Sequence, residues 1–190
     1  MFALLRPALI LFIALSLLTG LAYPLVTVAV TSLVFPDQAA GSLVERNGKV
    51  VGSTLIGQSF SDPGHFWSRP SATSPMPYNA AASSGSNLGP LNPALAQAIK
   101  DRVEIQRATN PGGGQTVPAD LVYSSASGLD PHISVAAALY QADRIAQARN
   151  VPVARVEQLV REHAEGALLG LLGEPRVNVL ALNLALDALR

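Results

Sequence analysis

The chain opens on an unbroken apolar run. From Pro7 to Pro36 no residue carries a charge, and Ala8 to Val34 is dominated by Leu, Ile, Val, Ala and Phe. Coiled as a helix, those 27 residues extend about 40 Å, more than the roughly 30 Å of bilayer hydrocarbon. The segment is predicted to cross a membrane, with length to spare for tilt or a bend at Gly20 or Pro24. A cleaved signal peptide is the competing reading, because Gly20-Leu21-Ala22 has small residues spaced as at a cleavage site. Against it, the run continues through Leu25-Val26-Thr27-Val28-Ala29-Val30, which a spanning helix requires and a secreted N-terminus does not. An uncleaved single-span anchor is therefore expected.

Beyond the span the pattern changes several times. Leu43-Val44-Glu45-Arg46, Asn47-Gly48 and Lys49-Val50-Val51 predict a β-hairpin, since Asn-Gly accepts the positive φ angles of a type I′ turn. From Ser59 to Pro93 neither a helical nor an alternating period survives; six prolines, many Ser, Ala and Asn, and the cluster His65-Phe66-Trp67 predict a long loop. A loop of that length in a compact domain is a first candidate for function. Asn92-Pro93 reads as the cap and first residue of a helix to about Ala108, with Leu95, Ile99 and Val103 on one face, ended by Pro111 and the glycines Gly112-Gly113-Gly114. A second helix is expected from about Ser134 to Arg149, burying Val135, Leu139, Ala142 and Ile145. A third should run from Pro152 to about Glu165 on Val153, Val156 and Val160. An apolar turn, Leu168 to Leu172, then leads through Val177-Asn178-Val179 to a last helix, Leu180 to Leu189. The expected fold class is α+β. It comprises a single N-terminal transmembrane helix, residues 1–36 with the span at about 8–34, followed by one mixed domain, 37–190, with a hairpin, a long Pro/Ser-rich loop and several helices.

Charge then sets orientation and excludes some functions. Arg6 precedes the span, whereas Arg46 and Lys49 lie well beyond it behind Asp37 and Glu45, so the N-terminus is expected in the cytoplasm and the large domain outside. Residues 37–190 carry twelve Lys and Arg against thirteen Asp and Glu, which argues against nucleic-acid binding. The absence of cysteine removes thiol nucleophiles, disulfides and thiolate metal sites. His65, His132 and His163 stand singly, without the i, i+4 spacing of a helical metal site, so no metal is assigned. Asp130, His132 and Ser134 hold the residue types of a hydrolase triad, but two-residue spacing on one turn does not make a relay, and Asp130 and Ser134 read as turn and cap residues. Gly48-Lys49 fails the phosphate-loop pattern at both ends. No catalytic residue is assigned, and a membrane-anchored extracytoplasmic hydrolase remains the alternative. The stretch between Arg69 and Lys100 is uncharged and rich in hydrogen-bonding groups, which makes Arg69, Tyr78, Asn79, Ser84, Gly85, Ser86 and Asn87 candidates for partner contact.

Motifs along the whole chain resemble one family. Arg6-Pro7-Ala8 opens the span, followed by Leu55-Ile56-Gly57-Gln58, Arg69-Pro70-Ser71-Ala72-Thr73, Met76-Pro77-Tyr78-Asn79 and Ser84-Gly85-Ser86-Asn87-Leu88. Ser127-Gly128-Leu129-Asp130, Ala148-Arg149-Asn150, Val177-Asn178-Val179 and Leu182-Asn183-Leu184-Ala185-Leu186-Asp187 complete the series. In this order they resemble the C subunit of the Kdp-type potassium-transporting P-type ATPase, with departures at Ser68, Ser84 and Val135 that alter local loop geometry. The resemblance implies a non-catalytic subunit of a bacterial inner-membrane complex, working with a channel-like potassium-translocating subunit, a P-type ATPase subunit and a small peptide subunit, in contact with membrane lipid. It also implies an external domain and an effect raising the ATP affinity of the ATPase subunit. ATP and potassium would be handled by the complex, with no cofactor bound by this chain.

Overall fold

Apolar side chains carry the N-terminal run into helix, as expected, and its threonine hydroxyls bond carbonyls one turn back within the helix. The computed structural model of the chain describes residues 2–110, 112, 116–167 and 169–189. Two compact units are present, 1–51 and 52–190. In the first, α1 (Phe2–Leu17) and α2 (Tyr23–Val34) are joined without a break by a wider π-helical turn, Leu18–Ala22. That turn lies where Gly20 and Pro24 relax the α-helical ladder: Gly20 has no side chain and Pro24 has no amide hydrogen to donate. Leu4–Val34 is one helix long and apolar enough to cross a membrane, with its side chains unburied by the protein. Thr27 and Thr31 return their hydroxyls to Tyr23 and Thr27 carbonyls at 2.9 Å, which satisfies them without water. A short helix, α3 (Pro36–Ala39), follows, and then β1 (Leu43–Arg46) and β2 (Lys49–Ser53) form the expected hairpin. Its turn has φ of 54° at Asn47 and 74° at Gly48, the left-handed values of the predicted turn type.

The second unit is an α+β domain. After β2 the chain runs from 54 to 92 with one 3-10 turn, Ala80–Ala82, as its sole helical feature. Helix α4 (Pro93–Thr109) starts at Asn92, whose side chain accepts the Ala94 amide at 2.9 Å. A second 3-10 turn, Ala119–Leu121, precedes β3 (His132–Ser134), α5 (Val135–Tyr140), α6 (Ala142–Arg149), α7 (Val153–Glu162), β4 (Ala164–Glu165), β5 (Arg176–Asn178) and α8 (Val179–Ala188). The strands form an antiparallel sheet of order β3-β5-β4, with Ile133 opposite Val177 and Val177 opposite Ala164. The core between sheet and helices holds Phe66, Leu121, Ile133, Ile145, Val156, Val160, Val177, Leu182 and Leu186, all at most 2 % exposed. Each such large side chain contributes about 1.5–3 kcal/mol by leaving water.

The helices depart from the sequence reading at particular points. The expected 134–149 helix is two helices: Ser134 caps α5 through the Ala137 amide at 3.0 Å, and the backbone pauses at Gln141 (φ −89°, ψ −7°) before α6. Gln141 is fully buried, and its side chain bonds the backbone of Trp67, so a tertiary contact dictates the break. The third helix stops at Glu162, and Ala164–Glu165 pairs as a strand instead. Asn150, in the left-handed conformation, closes α6. Pro111, Gly113, Gly114 and Leu168, which the sequence places in a helix terminator and an apolar turn, lie outside the described residues. Leu169, Leu171 and Leu172 of that turn are exposed.

Candidate functional site

The long loop is a strap bolted to the helical core. Phe66 and Trp67 cross it, and two buried amide side chains satisfy their backbones as a neighbouring strand would. Asn183 of α8 accepts the Phe66 amide at 2.8 Å and donates to the Phe66 carbonyl at 3.0 Å. Gln141 accepts the Trp67 amide at 2.7 Å and donates to the Trp67 carbonyl at 3.2 Å. Arg144 of α6 completes the attachment. Its guanidinium donates to Asn110 Oδ1 at 2.9 Å, to the carbonyls of Pro63 and His65, and to Gln141 Oε1 at 2.7 Å, and it stacks on the Trp67 ring at 4.4 Å. Burial pulls its pKa down to about 10, so it stays a cation at neutral pH. Nearby, Arg149 Nη2 and His65 Nε2 meet Asp187 Oδ1 at 2.6 and 2.9 Å, and Arg149 Nε donates to the Gly64 carbonyl at 2.6 Å.

The strap's second half carries the candidate contact residues. Arg69 Nη1 reaches Asp130 Oδ2 at 3.0 Å, and the Arg69 carbonyl receives the Tyr78 hydroxyl. The Tyr78 amide donates to Ser71 Oγ at 2.9 Å, and Ser71 Oγ donates to the Gly128 carbonyl at 2.7 Å. Asn79 Nδ2 donates to the Ser74 carbonyl and its Oδ1 accepts the Ala81 amide, so its side chain shapes the turn. Burial, helped by the charge of Asp130, raises the Tyr78 phenol above its ordinary pKa. The Ser84 amide donates to the Ser127 carbonyl at 3.0 Å, and a Cβ on Gly85 would come within 2.9 Å of the Ala126 carbonyl, so glycine is required there. Ser84, Ser86 and Asn87 are exposed, Asn87 with a φ of 52°. Thus Arg69, Tyr78 and Asn79 belong to one hydrogen-bonded knot through Ser71 and Thr73, and Ser84 and Gly85 adjoin the 125–128 loop that the same knot reaches at Gly128.

Asp130, His132 and Ser134 border an open cleft of about 600 Å³, together with Arg69, Asp120 and Arg176. Turn, cap and ion-pair bonds hold them. Asp130 Oδ1 accepts the His132 amide at 3.0 Å and lies 3.4 Å from His132 Nδ1. The Ser134 hydroxyl donates to Asp120 Oδ1 at 3.2 Å while its oxygen caps α5, and among the described residues it has no histidine partner. His163 Nδ1 bonds the Leu159 carbonyl at 2.9 Å, and Asp62 accepts the Gly64 amide at 2.6 Å. Among the described residues no three His, Asp or Glu side chains converge as metal ligands.

Sequence reasoning missed the residues that organise this surface: Asn110, Gln141, Arg144, Asn183 and Arg102. Arg102, on α4, donates from Nη1 to the Val122 carbonyl at 2.7 Å, and burial lowers its pKa. The available signal was weak: polar residues beside core positions, such as Arg144 before Ile145 and Asn183 after Leu182.

Comparison with known proteins covers strap, core and span together. The family described as K+-transporting ATPase, c chain (KdpC), matches residues 5–188. The chain is similar to the potassium-transporting ATPase KdpC subunit of Polaromonas naphthalenivorans (strain CJ2), 65 % identical over 186 residues, covering 98 % of this chain and 95 % of the relative. It is also similar to the KdpC subunit of Variovorax paradoxus (strain S110), 64 % identical over 183 residues, covering 96 % and 95 %. The protein of the same description from Sorangium cellulosum (strain So ce56) is 60 % identical over 190 residues, the full length of both.

Proposed function

The chain belongs to the K+-transporting ATPase C-chain family, KdpC, and from that premise we propose that it is a non-catalytic accessory subunit that stabilises an ATP-driven potassium-uptake complex. The observation that carries this reading is the match over residues 5–188, which takes in both the apolar helix and the strapped domain. One span at Leu4–Val34 fits a membrane-anchored protein. The anchor sits in the bacterial inner membrane with the N-terminus in the cytoplasm and residues 37–190 outside, in keeping with Arg6 before the span. Its partners are the potassium-translocating subunit, the ATPase subunit and the small peptide subunit. The strap residues Arg69, Tyr78, Asn79 and Ser84 to Asn87 face those partners, supported by the exposure of Ser84, Ser86 and Asn87 beside a rigidly held base.

Any effect on ATP affinity is indirect in this reading. ATP is cytoplasmic and the domain is external, so a change in affinity reaches the ATPase subunit as a coupling between conformations of the complex. The test is co-purification of an affinity-tagged full chain from native membranes, compared with a chain ending at Val34. The full chain is expected to bring down a multispan ATPase and to support growth at low potassium. A shortened chain that gives an equally stable and active complex overturns the assembly role of the domain.

A further inference from the structure

One stripe of α4 faces a groove. Leu95, Ala98, Arg102 and Ile105, spaced three, four and three apart, share a side of the helix. The part of the groove beside Leu95 and Ala98 encloses about 250 Å³ and is walled by Leu88, Pro90 and Tyr123. The part beside Ile105 encloses about 290 Å³ and is walled by Phe60, Pro77 and Tyr78. Arg102 lines both, so its side chain borders each part. From Leu95 to Ile105 the helix rises about 15 Å, the length of four to five extended residues.

The groove is electrostatically one-sided. No Asp or Glu lines either part. Arg69, the other cation in it, is paired with Asp130 at 3.0 Å. Arg102 bonds only the Val122 carbonyl and has no carboxylate partner among the described residues. A half-buried guanidinium has lost part of its hydration, and a neutral carbonyl replaces that less well than a carboxylate does. The apolar lining is likewise uncovered at its rim, with Ile105 55 % and Tyr123 45 % exposed. Proline and aromatic walls on both sides of one cation suit a polypeptide better than a small anion, which would leave the apolar parts in contact with water.

We propose that this groove receives an extended segment of a neighbouring subunit in which one Asp or Glu pairs with Arg102 and the flanking apolar residues occupy the two parts beside it. The inference rests on the assembly reading above and gives it a docking chemistry. It accounts for an arrangement in which the strap forms one wall and α4 the other, so that bolting Phe66 and Trp67 to the core also sets the groove's width.

The test uses the full chain in the assembled complex in native membranes, with a photo-crosslinking amino acid replacing Ile105 or Tyr123 and, as a control, Lys100. Crosslinks to another subunit are expected from 105 and 123, and at least tenfold fewer from 100. Arg102→Glu should lower the yield from 105 about tenfold, Arg102→Lys much less, since the ammonium keeps the charge. Fluorescence of Trp67, the sole tryptophan, reports whether Arg102→Glu still folds, and Ile105→Glu, a change at an exposed position, serves as a second disruptive variant. If the complex co-purifies but 105 and 123 crosslink to no subunit, or Arg102→Glu folds and crosslinks normally, the docking proposal is overturned while the assembly reading stands. If the chain brings down no ATPase, both fall together.

Discussion

Asn183 on α8 holds Phe66 by both backbone groups, accepting its amide at 2.8 Å and donating to its carbonyl at 3.0 Å, across 117 positions of sequence. Both residues are buried, Phe66 completely. The bond pair therefore does the work of a β-ladder rung where no strand is available.

Replacing Asn183 with Leu should cost about 2–4 kcal/mol, because a buried amide and a buried carbonyl lose their partners at once. Urea unfolding of the full chain in detergent measures it. An unchanged midpoint would mean that the Phe66 backbone finds other partners.

Arg144→Lys should destabilise by a similar amount. Lysine keeps the charge, but a single ammonium cannot serve Asn110, Gln141 and the carbonyls of Pro63 and His65 together or stack flat on Trp67. Emission from Trp67 should move with the loss, and a variant with wild-type emission and stability would refute the clamp.

The Tyr78 phenol predicts a pH dependence. Its pKa is raised in the folded chain, first by burial and also by Asp130, from an ordinary value of 10.0. The folded state therefore keeps this proton when the unfolded state gives it up. The resulting stabilisation is complete below about pH 10 and is lost as pH rises through the folded value. Absorbance titration of the phenols should show one fewer late-ionising tyrosine in Tyr78→Phe than in the wild type.

Gly128 has a φ of +66°, and a Cβ there would lie 2.6 Å from the Ser84 carbonyl. Gly128→Ala should detach the Ser84 region from its base and raise proteolytic cleavage between Ala80 and Leu88 several-fold, with a stability loss of about 1–3 kcal/mol. Wild-type cleavage rates would show that the contact carries no such role.

Intact-mass measurement should find residues 1–34 retained in the mature chain, and a reporter fused after Arg190 should read out as external. A mature N-terminus at Tyr23 would instead mark the apolar run as a cleaved signal.

By itself the sequence determined what depends on neighbours in the chain. Asn47-Gly48 dictates a tight turn, Asn92-Pro93 starts α4, the uninterrupted run to Val34 makes a spanning-length helix, and the valines of α7 mark its inner face; each is local in origin. It also identified the family, through short motifs kept in order. Tertiary structure decided the rest. Strands β3, β4 and β5 have three, two and three residues, too few to show an alternating period, and exist because Ile133 and Ala164 both pair with Val177. The break at Gln141 and the internal roles of Asn183 and Arg144 follow from a strap that arrives from far away in sequence, bringing backbone groups that must be satisfied wherever they are buried. The groove along α4 is of the same kind: its helix face is legible in the spacing of Leu95, Ala98, Arg102 and Ile105, but its walls come from residues 59–90 and 121–124, whose meeting no local pattern encodes.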